Sequence, residues 1–147
     1  MSNTTLAHSH SESALHAQQA YQQAVQQTLQ LAVIHHEAGR MSEAEVLYRG
    51  ILIGEPEQPQ ANHNLGILLF QQQQPAAGLP HLEAALTAKP ESERYWLSYL
   101  DALALVGQTE LALQMLAFGR EHGLEGNAVD ALAEALVAGE QVAALPG

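Results

Sequence analysis

Residue types recur in this chain at an interval of 34, and that recurrence limits the possible fold more than any other property of the sequence. Pro56 and Pro90 lie 34 apart, each closing an apolar stretch. The same interval aligns the small residues Ala44, Gly78 and Ala112, then the large Tyr48, Leu82 and Leu116. It also aligns Gly39, Gln73 and Gly107 at a turn, and Leu31, Leu65 and Tyr99 ahead of it. A chain of 147 residues repeating in this way is an array of similar units, each stabilised by its neighbours.

Within a unit the apolar spacing is helical. Leu31, Ile34 and His35 precede Gly39, and Ala44, Leu47, Tyr48, Ile51 and Leu52 follow it, so each unit reads as two helices of about twelve residues around a short turn. Ser42 with Glu45 has the spacing of a capping box for the second helix of the first unit. Pro75 starts the equivalent helix of the second unit, where a missing N–H costs nothing, and Pro80 falls near its first turn. Thr109 is the expected N-cap in the third.

Composition narrows the function. There is no cysteine, which excludes disulfides, thiolate metal sites and a cysteine nucleophile. Five basic against sixteen acidic residues give a net charge of −11, the wrong balance for a broad surface that binds nucleic acid or anionic lipid. The first 39 residues hold neither Lys nor Arg, so no secretory or transit signal is visible, and no apolar run approaches the length of a membrane span. The chain therefore reads as soluble and cytoplasmic, with neither nucleic acid nor membrane as partner.

The signature residues Leu31, Ala44, Tyr48 and Pro56, then Leu65-Gly66, Ala85 and Pro90, then Trp96, Gly107 and Ala112, resemble the pattern of tetratricopeptide repeats. Three such units fit at 25–58, 59–92 and 93–126, with departures at Thr28 and Asn62 in the Trp column, Gly78 in the alanine column and Leu124 in the proline column. The resemblance implies an all-α fold, a right-handed α-solenoid of three helix-turn-helix repeats. The small column is explained by close helix approach at Ala44, Gly78 and Ala112. Residues 127–139, with Asn127 as N-cap and apolar Val129, Leu132, Leu136 and Val137, read as a capping helix. Residues from Ser13 to Gln23 read as a helical extension, whereas 1–12 and 141–147 read as loose ends of a domain spanning 13–140.

Residues able to carry chemistry form no convincing site. His8 and His10 lie in a Ser-rich terminus, and His35 and His36 are adjacent on a helix and point about 100° apart, so neither pair faces one metal ion. His35 is expected to pack in the repeat's Tyr column. The pairs Glu43/Glu45, Glu55/Glu57 and Glu91/Glu93 fall at helix ends, where acids favour the dipole or stay solvated. No hydrolase, zinc-protease, phosphate-loop or EF-hand motif occurs, and Gln71 to Gln74 read as a loop. The expectation is no enzyme, no metal and no cofactor.

A binding surface is what the resemblance does imply. The first helix of each unit lines the concave side, which would present Gln26, Leu29, Gln30, Val33 and His36, then His63, Asn64, Ile67 and Phe70, then Arg94, Leu97, Ser98 and Asp101. Asn64 and Gln30 could bond a peptide backbone while Phe70 and Ile67 offer apolar contact; the alternative is that Val33 and Ile67 are core. Repeats that clamp acidic chaperone tails carry Lys and Asn where this chain has Leu29 and Val33, leaving Arg94 as the only groove cation. That subtype is disfavoured.

Three functional readings follow. The first is a protein-interaction module binding a peptide or partner helix in the concave groove. The second comes from residues 93–126, which resemble the last repeat of bacterial proteins joining such repeats to a glycosyltransferase or sulfotransferase domain; Asn64 lies in the column of their asparagine ladder. This chain would then be a substrate-recruiting region without a catalytic domain. The third is a small chaperone resembling those of type III secretion translocators, which are acidic, poor in cysteine and built on three repeats. Net charge is −4 over 1–58, −1 over 59–92 and −6 over 93–147, so a partner with basic flanks around a neutral centre is expected. An uncapped repeat end would also allow a homodimer.

Overall fold

A computed structural model describes the backbone of residues 2–139 and the side chains of 9–139. Seven helices follow one another, with no strand among the described residues: α1 Ser2–Glu37, α2 Met41–Gly54, α3 Pro59–Gln71, α4 Pro75–Ala88, α5 Glu93–Leu105, α6 Thr109–Glu121 and α7 Asn127–Ala138. Helices α3, α5 and α7 begin at 59, 93 and 127, and α2, α4 and α6 at 41, 75 and 109, each a step of 34. Every helix packs on the next in sequence, α1 also touches α3, and α5 also touches α7, as in an α-solenoid.

The turn inside each pair has one construction, repeated. Gly39, Gln73 and Gly107 take positive φ values of 80°, 63° and 84°. The following N–H, from Arg40, Gln74 and Gln108, reaches back to the carbonyl of His35, Leu69 and Leu103 at 2.8 Å in all three turns. This is the Schellman closure, which wants a residue without a Cβ at the left-handed position. Gln73 holds that position without being glycine, at a cost of roughly 1 kcal/mol.

This closure corrects the capping expectations. Because Arg40, Gln74 and Gln108 already accept the first helical bond, from Ala44, Gly78 and Ala112, the second helices start two residues earlier than the Ser42/Glu45 box requires and one earlier than a Thr109 cap requires. None of these helices has a side-chain cap, and Glu45 instead accepts from Arg49 at 2.8 Å. Asn127 likewise is the first residue of α7, with Gly126 at the N-cap. Side-chain caps occur one joint away: Gln58 accepts the Ala61 N–H and Ser92 the Tyr95 N–H, opening α3 and α5.

The core forms two clusters that share α3. Leu65, Leu68 and Leu69 join Val25, Leu29, Ala32, Ala44, Tyr48 and Ile51 on one side. Ile67 joins Leu82, Tyr95, Trp96, Leu100, Leu103, Ala112 and the α7 residues Val129, Leu132 and Leu136 on the other. The small column is buried throughout, and it is tightest in the middle pair. A Cβ on Gly78 would stand 2.8 Å from the Gly66 carbonyl oxygen, and one on Gly66 3.1 Å from the Gly78 carbonyl oxygen, so α3 and α4 touch backbone to backbone.

The N-terminal end differs from the sequence expectation. Helix α1 runs unbroken from Ser2, so residues 2–12, read as loose, continue the helical extension; nothing before Gly39 is a glycine or proline. Its side chains from residue 9 to 20 are all exposed. Tyr21 sits where a Cβ on Gly54 would collide with its hydroxyl, and Gln22 donates to Glu55 at 2.8 Å, so α1 projects beyond the end of α2 from about there. Leu31, aligned with Leu65 and Tyr99, is 47% exposed because no earlier unit covers it. Segment 141–147 lies outside the described residues.

Candidate functional site

An open concavity of about 1210 Å³ lies across the first two units and the start of the third. Helix α1 supplies Gln26, Leu29, Gln30, Val33, Ile34, His36 and Glu37. Helix α3 supplies Gln60, His63, Asn64 and Gln71, and the α4–α5 turn and start of α5 supply Lys89, Glu91, Ser92, Arg94 and Tyr95. Met41 and Tyr48 of α2 complete it. The charged lining is balanced, Glu37 and Glu91 against Lys89 and Arg94, and the rest mixes five amides with aliphatic, aromatic and histidine side chains.

Two histidines tie the floor together. The Gln71 Oε1 can only accept, so His36 donates through Nε2 at 2.6 Å, and its Nδ1 accepts the Tyr48 hydroxyl proton at 3.2 Å. That relay links α1, α2 and α3. Burial, with the Glu37 charge adding and the Asn64 side chain opposing, pushes the Tyr48 hydroxyl up to about 12, so it stays a donor. His63 accepts from the Ser98 hydroxyl at 2.7 Å through Nε2, and its Nδ1–H points at the Asn64 side-chain oxygen, 3.4 Å away. Its ring also packs on Tyr95, with centroids 4.8 Å apart. Burial and the Arg94 charge press His63 down to about 4, against a smaller opposing pull from Asn64, so it is neutral at physiological pH.

A serine hydroxyl donating to an imidazole has the form of an activated nucleophile. Here Ser98 is fully buried, so no reacting atom can approach it, and the bond serves to join α3 to α5. Among the described residues no group of three or more His, Asp or Glu converges as a metal site. His35 does not pack in the Tyr column; it is half-buried and accepts from the Arg40 side chain at 2.7 Å, whereas His36 is the one that meets Tyr48.

The residues named from sequence divide. Gln26, Leu29, Gln30, Val33, His36, His63, Asn64 and Arg94 line the concavity together. Ile67 belongs to the core, and Phe70 and Leu97 pack partly buried against it. Ser98 is buried beneath His63, and Asp101 is half-buried with its Oδ1 lacking a partner. Desolvation raises the Asp101 carboxyl to about 6. Helix α3 has neighbours on both sides, which draws Ile67 inward, while α7 packing on α5 covers part of the third unit. Sequence reasoning missed Met41 and Tyr48 because it assigned the surface to first helices alone; it also passed over Ile34, Glu37, Gln60, Gln71 and Tyr95 on those helices and Lys89, Glu91 and Ser92 at the α4–α5 turn, so Arg94 is not the only cation of the lining.

One substitution that looked like a departure is explained. Trp96 donates its indole N–H to the Pro90 carbonyl at 2.7 Å. Asn62, 34 residues earlier in the same column, donates its amide to the Pro56 carbonyl at 3.0 Å. At these two positions the column supplies a buried N–H donor to the proline that ends the preceding unit, whereas Thr28 bonds the Ala24 carbonyl of its own helix.

No helix among the described residues is long and apolar enough to cross a membrane. No protein-family model matches the chain, and no curated protein matches it in sequence. Solved structures match its fold. The Yersinia enterocolitica type III secretion chaperone SycD, in complex with a peptide of the translocator YopD, aligns with a TM-score of 0.67 and 14% identity over 78% of this chain and 93% of that one. A second structure of the translocator chaperone SycD from Yersinia enterocolitica aligns with a TM-score of 0.63 and 13% identity over 78% and 79%. At such identities the likeness is one of fold, an all-helical, tetratricopeptide-like arrangement.

Proposed function

We propose that this chain is an interaction module of three tetratricopeptide repeats, 25–58, 59–92 and 93–126, that holds an extended peptide of a partner protein in the concavity between α1, α3 and α5. The supporting observation is the lining itself: the amides of Gln26, Gln30 and Gln60, the last already accepting from Gln58, lie beside the apolar Val33, Ile34 and Met41 and offer donors and acceptors for a peptide backbone and contact for its side chains. Lys89 and Arg94 offset Glu37 and Glu91, so the segment held there is neutral overall, and basic flanks on either side would meet the acidic ends of the array.

The chaperone version of this function, in which the peptide belongs to an unstable client, is favoured by the match to SycD, whose structure contains a translocator peptide. A photo-crosslinking residue at Gln30, and in a second sample at the outward-facing Ile53, tests the binding surface against a random dodecapeptide library. Adducts are expected at Gln30 and not at Ile53, and adducts at a label placed instead at Ile34 should fall about tenfold on joint Gln30→Ala and Asn64→Ala substitution. Equal labelling at both positions overturns the groove as the binding surface.

A further inference from the structure

Across the α4–α5 turn from the concavity lies a second cavity, of about 640 Å³, between the start of α5 and the end of α6. Its walls are aromatic. The Trp96 indole lines it with its N–H already spent on Pro90, and Phe118, 51% exposed, stacks on His122 with ring centroids 4.2 Å apart and planes tilted by 32°. Gly119 keeps the floor open, since a Cβ there would press on Leu124 at 2.8 Å and on the Trp96 ring at 3.3 Å. The half-exposed Phe118 ring is held in place, because the His122 Nδ1–H donates to the Phe118 carbonyl at 2.8 Å and fixes the imidazole over the ring.

The polar lining has one character. Glu91, Glu93 and Glu125 rim the cavity. The His122 Nδ1 is already committed as donor to the Phe118 carbonyl. No Lys or Arg joins them: Arg120, next to the cavity in sequence, pairs with Asp130 at 2.8 Å, and Lys89 lines the other side of the turn. A site with π faces and a rim of carboxylates suits a planar cation rich in N–H groups, which stacks on the rings and forks onto carboxylates. A quaternary ammonium would leave those acceptors unused, and a compact ammonium would stack poorly.

We propose that this cavity takes an arginine side chain from a partner polypeptide, its guanidinium lying on the Phe118–His122 pair between Glu93 and Glu125. The assignment is independent of the concave groove, although Glu91 borders both, so one polypeptide crossing the turn could occupy the two together. Trp96 is the only tryptophan, so its emission and its indole N–H signal report the site directly.

The test titrates the full chain with the capped tripeptide acetyl-Gly-Arg-Gly-amide, alongside its citrulline and lysine counterparts. The expected result is a saturable Trp96 change in the millimolar range for arginine, about tenfold weaker for lysine and weaker still for citrulline, which keeps the shape without the charge. Joint Glu93→Gln and Glu125→Gln substitution, and separately Phe118→Leu, should each remove the response, whereas Asn64→Ala in the groove should leave it. Circular dichroism checks that the variants fold, and Phe118 is exposed enough for its replacement to be tolerated. Equal responses to arginine and citrulline, an unchanged response in the double Gln variant, or no saturation by arginine overturn the proposal.

Discussion

The C-terminal end of the array closes on α7, which buries Val129, Leu132 and Leu136 against the last pair and turns Asp130 and Glu134 outward. The N-terminal end has no such closure: α1 leaves Leu31 and Ile34 largely exposed and runs on past its partner. Both ends meet the same geometric problem, a repeat face with no further repeat to cover it. The C-terminal end answers with a short amphipathic helix at the position where a fourth unit would start. The N-terminal end answers with length, since a helix of 36 residues extends roughly 54 Å while α2, at 14, extends about 21 Å.

The largest expected effect distinguishes the two answers. A chain ending at Gly126 loses three buried side chains worth about 5–8 kcal/mol together, comparable with the whole stability of a small domain, so the third unit should unfold. A chain starting at Tyr21 should change by less than about 1 kcal/mol. Urea denaturation measures both, and equal losses would mean that α7 is not a cap.

A single column sharpens the contrast further. Leu65→Ser, at a fully buried site, should cost about 3–5 kcal/mol, whereas Leu31→Ser, one repeat earlier, should fall within about 0.5 kcal/mol of the parent. Similar costs at the two positions would show that something covers Leu31 in solution.

The smallest effect concerns acid. Asp101 on α5, the helix that α7 covers, is raised to about 6, so its ionised form burdens the fold: its contribution to stability declines as pH rises from about 4 to about 6. His63, lowered to about 4, acts in the opposite sense, and the stability it confers is present above about 6.5 and is lost as pH falls toward 4. The two partly cancel. Asp101→Asn should therefore raise stability at pH 7 by about 1 kcal/mol, after allowing for the solvent that reaches the carboxyl, and should leave a steeper loss on acidification. Urea melts at pH 7 and pH 4.5 read this directly, and a variant less stable at pH 7 would mean that Asp101 has found a partner.

Much of this fold was legible because its constraints repeat. Gly39, Gln73 and Gly107 mark a left-handed turn that must recur wherever two helices reverse in the same space, and Ala44, Gly78 and Ala112 mark the approach it imposes. What stayed hidden was function conserved through different side chains. Asn62 and Trp96 share no size or polarity, yet each gives an N–H to a proline carbonyl, an equivalence visible only in space. The candidate groove was legible at Gln30, His36 and Asn64 and misleading at Ile67. Column arithmetic treats all first helices alike, whereas α3 has a core on each side and α1 has only one. Tyr48 was read as a packing residue, which it is, and its hydroxyl nevertheless reaches the concave floor.

The glycine contact between α3 and α4 bears on how the molecule can flex. Where helices meet through side chains, rotamer changes let them slide; where Gly66 and Gly78 set main chain on main chain, there is no such lubricating layer. The middle of the array should behave as a stiff keystone, with any change of curvature taken up at the α2–α3 and α4–α5 joints. Those joints border the concavity at Gln60 and at Lys89 to Ser92, so its width would be set by two hinges around a fixed block.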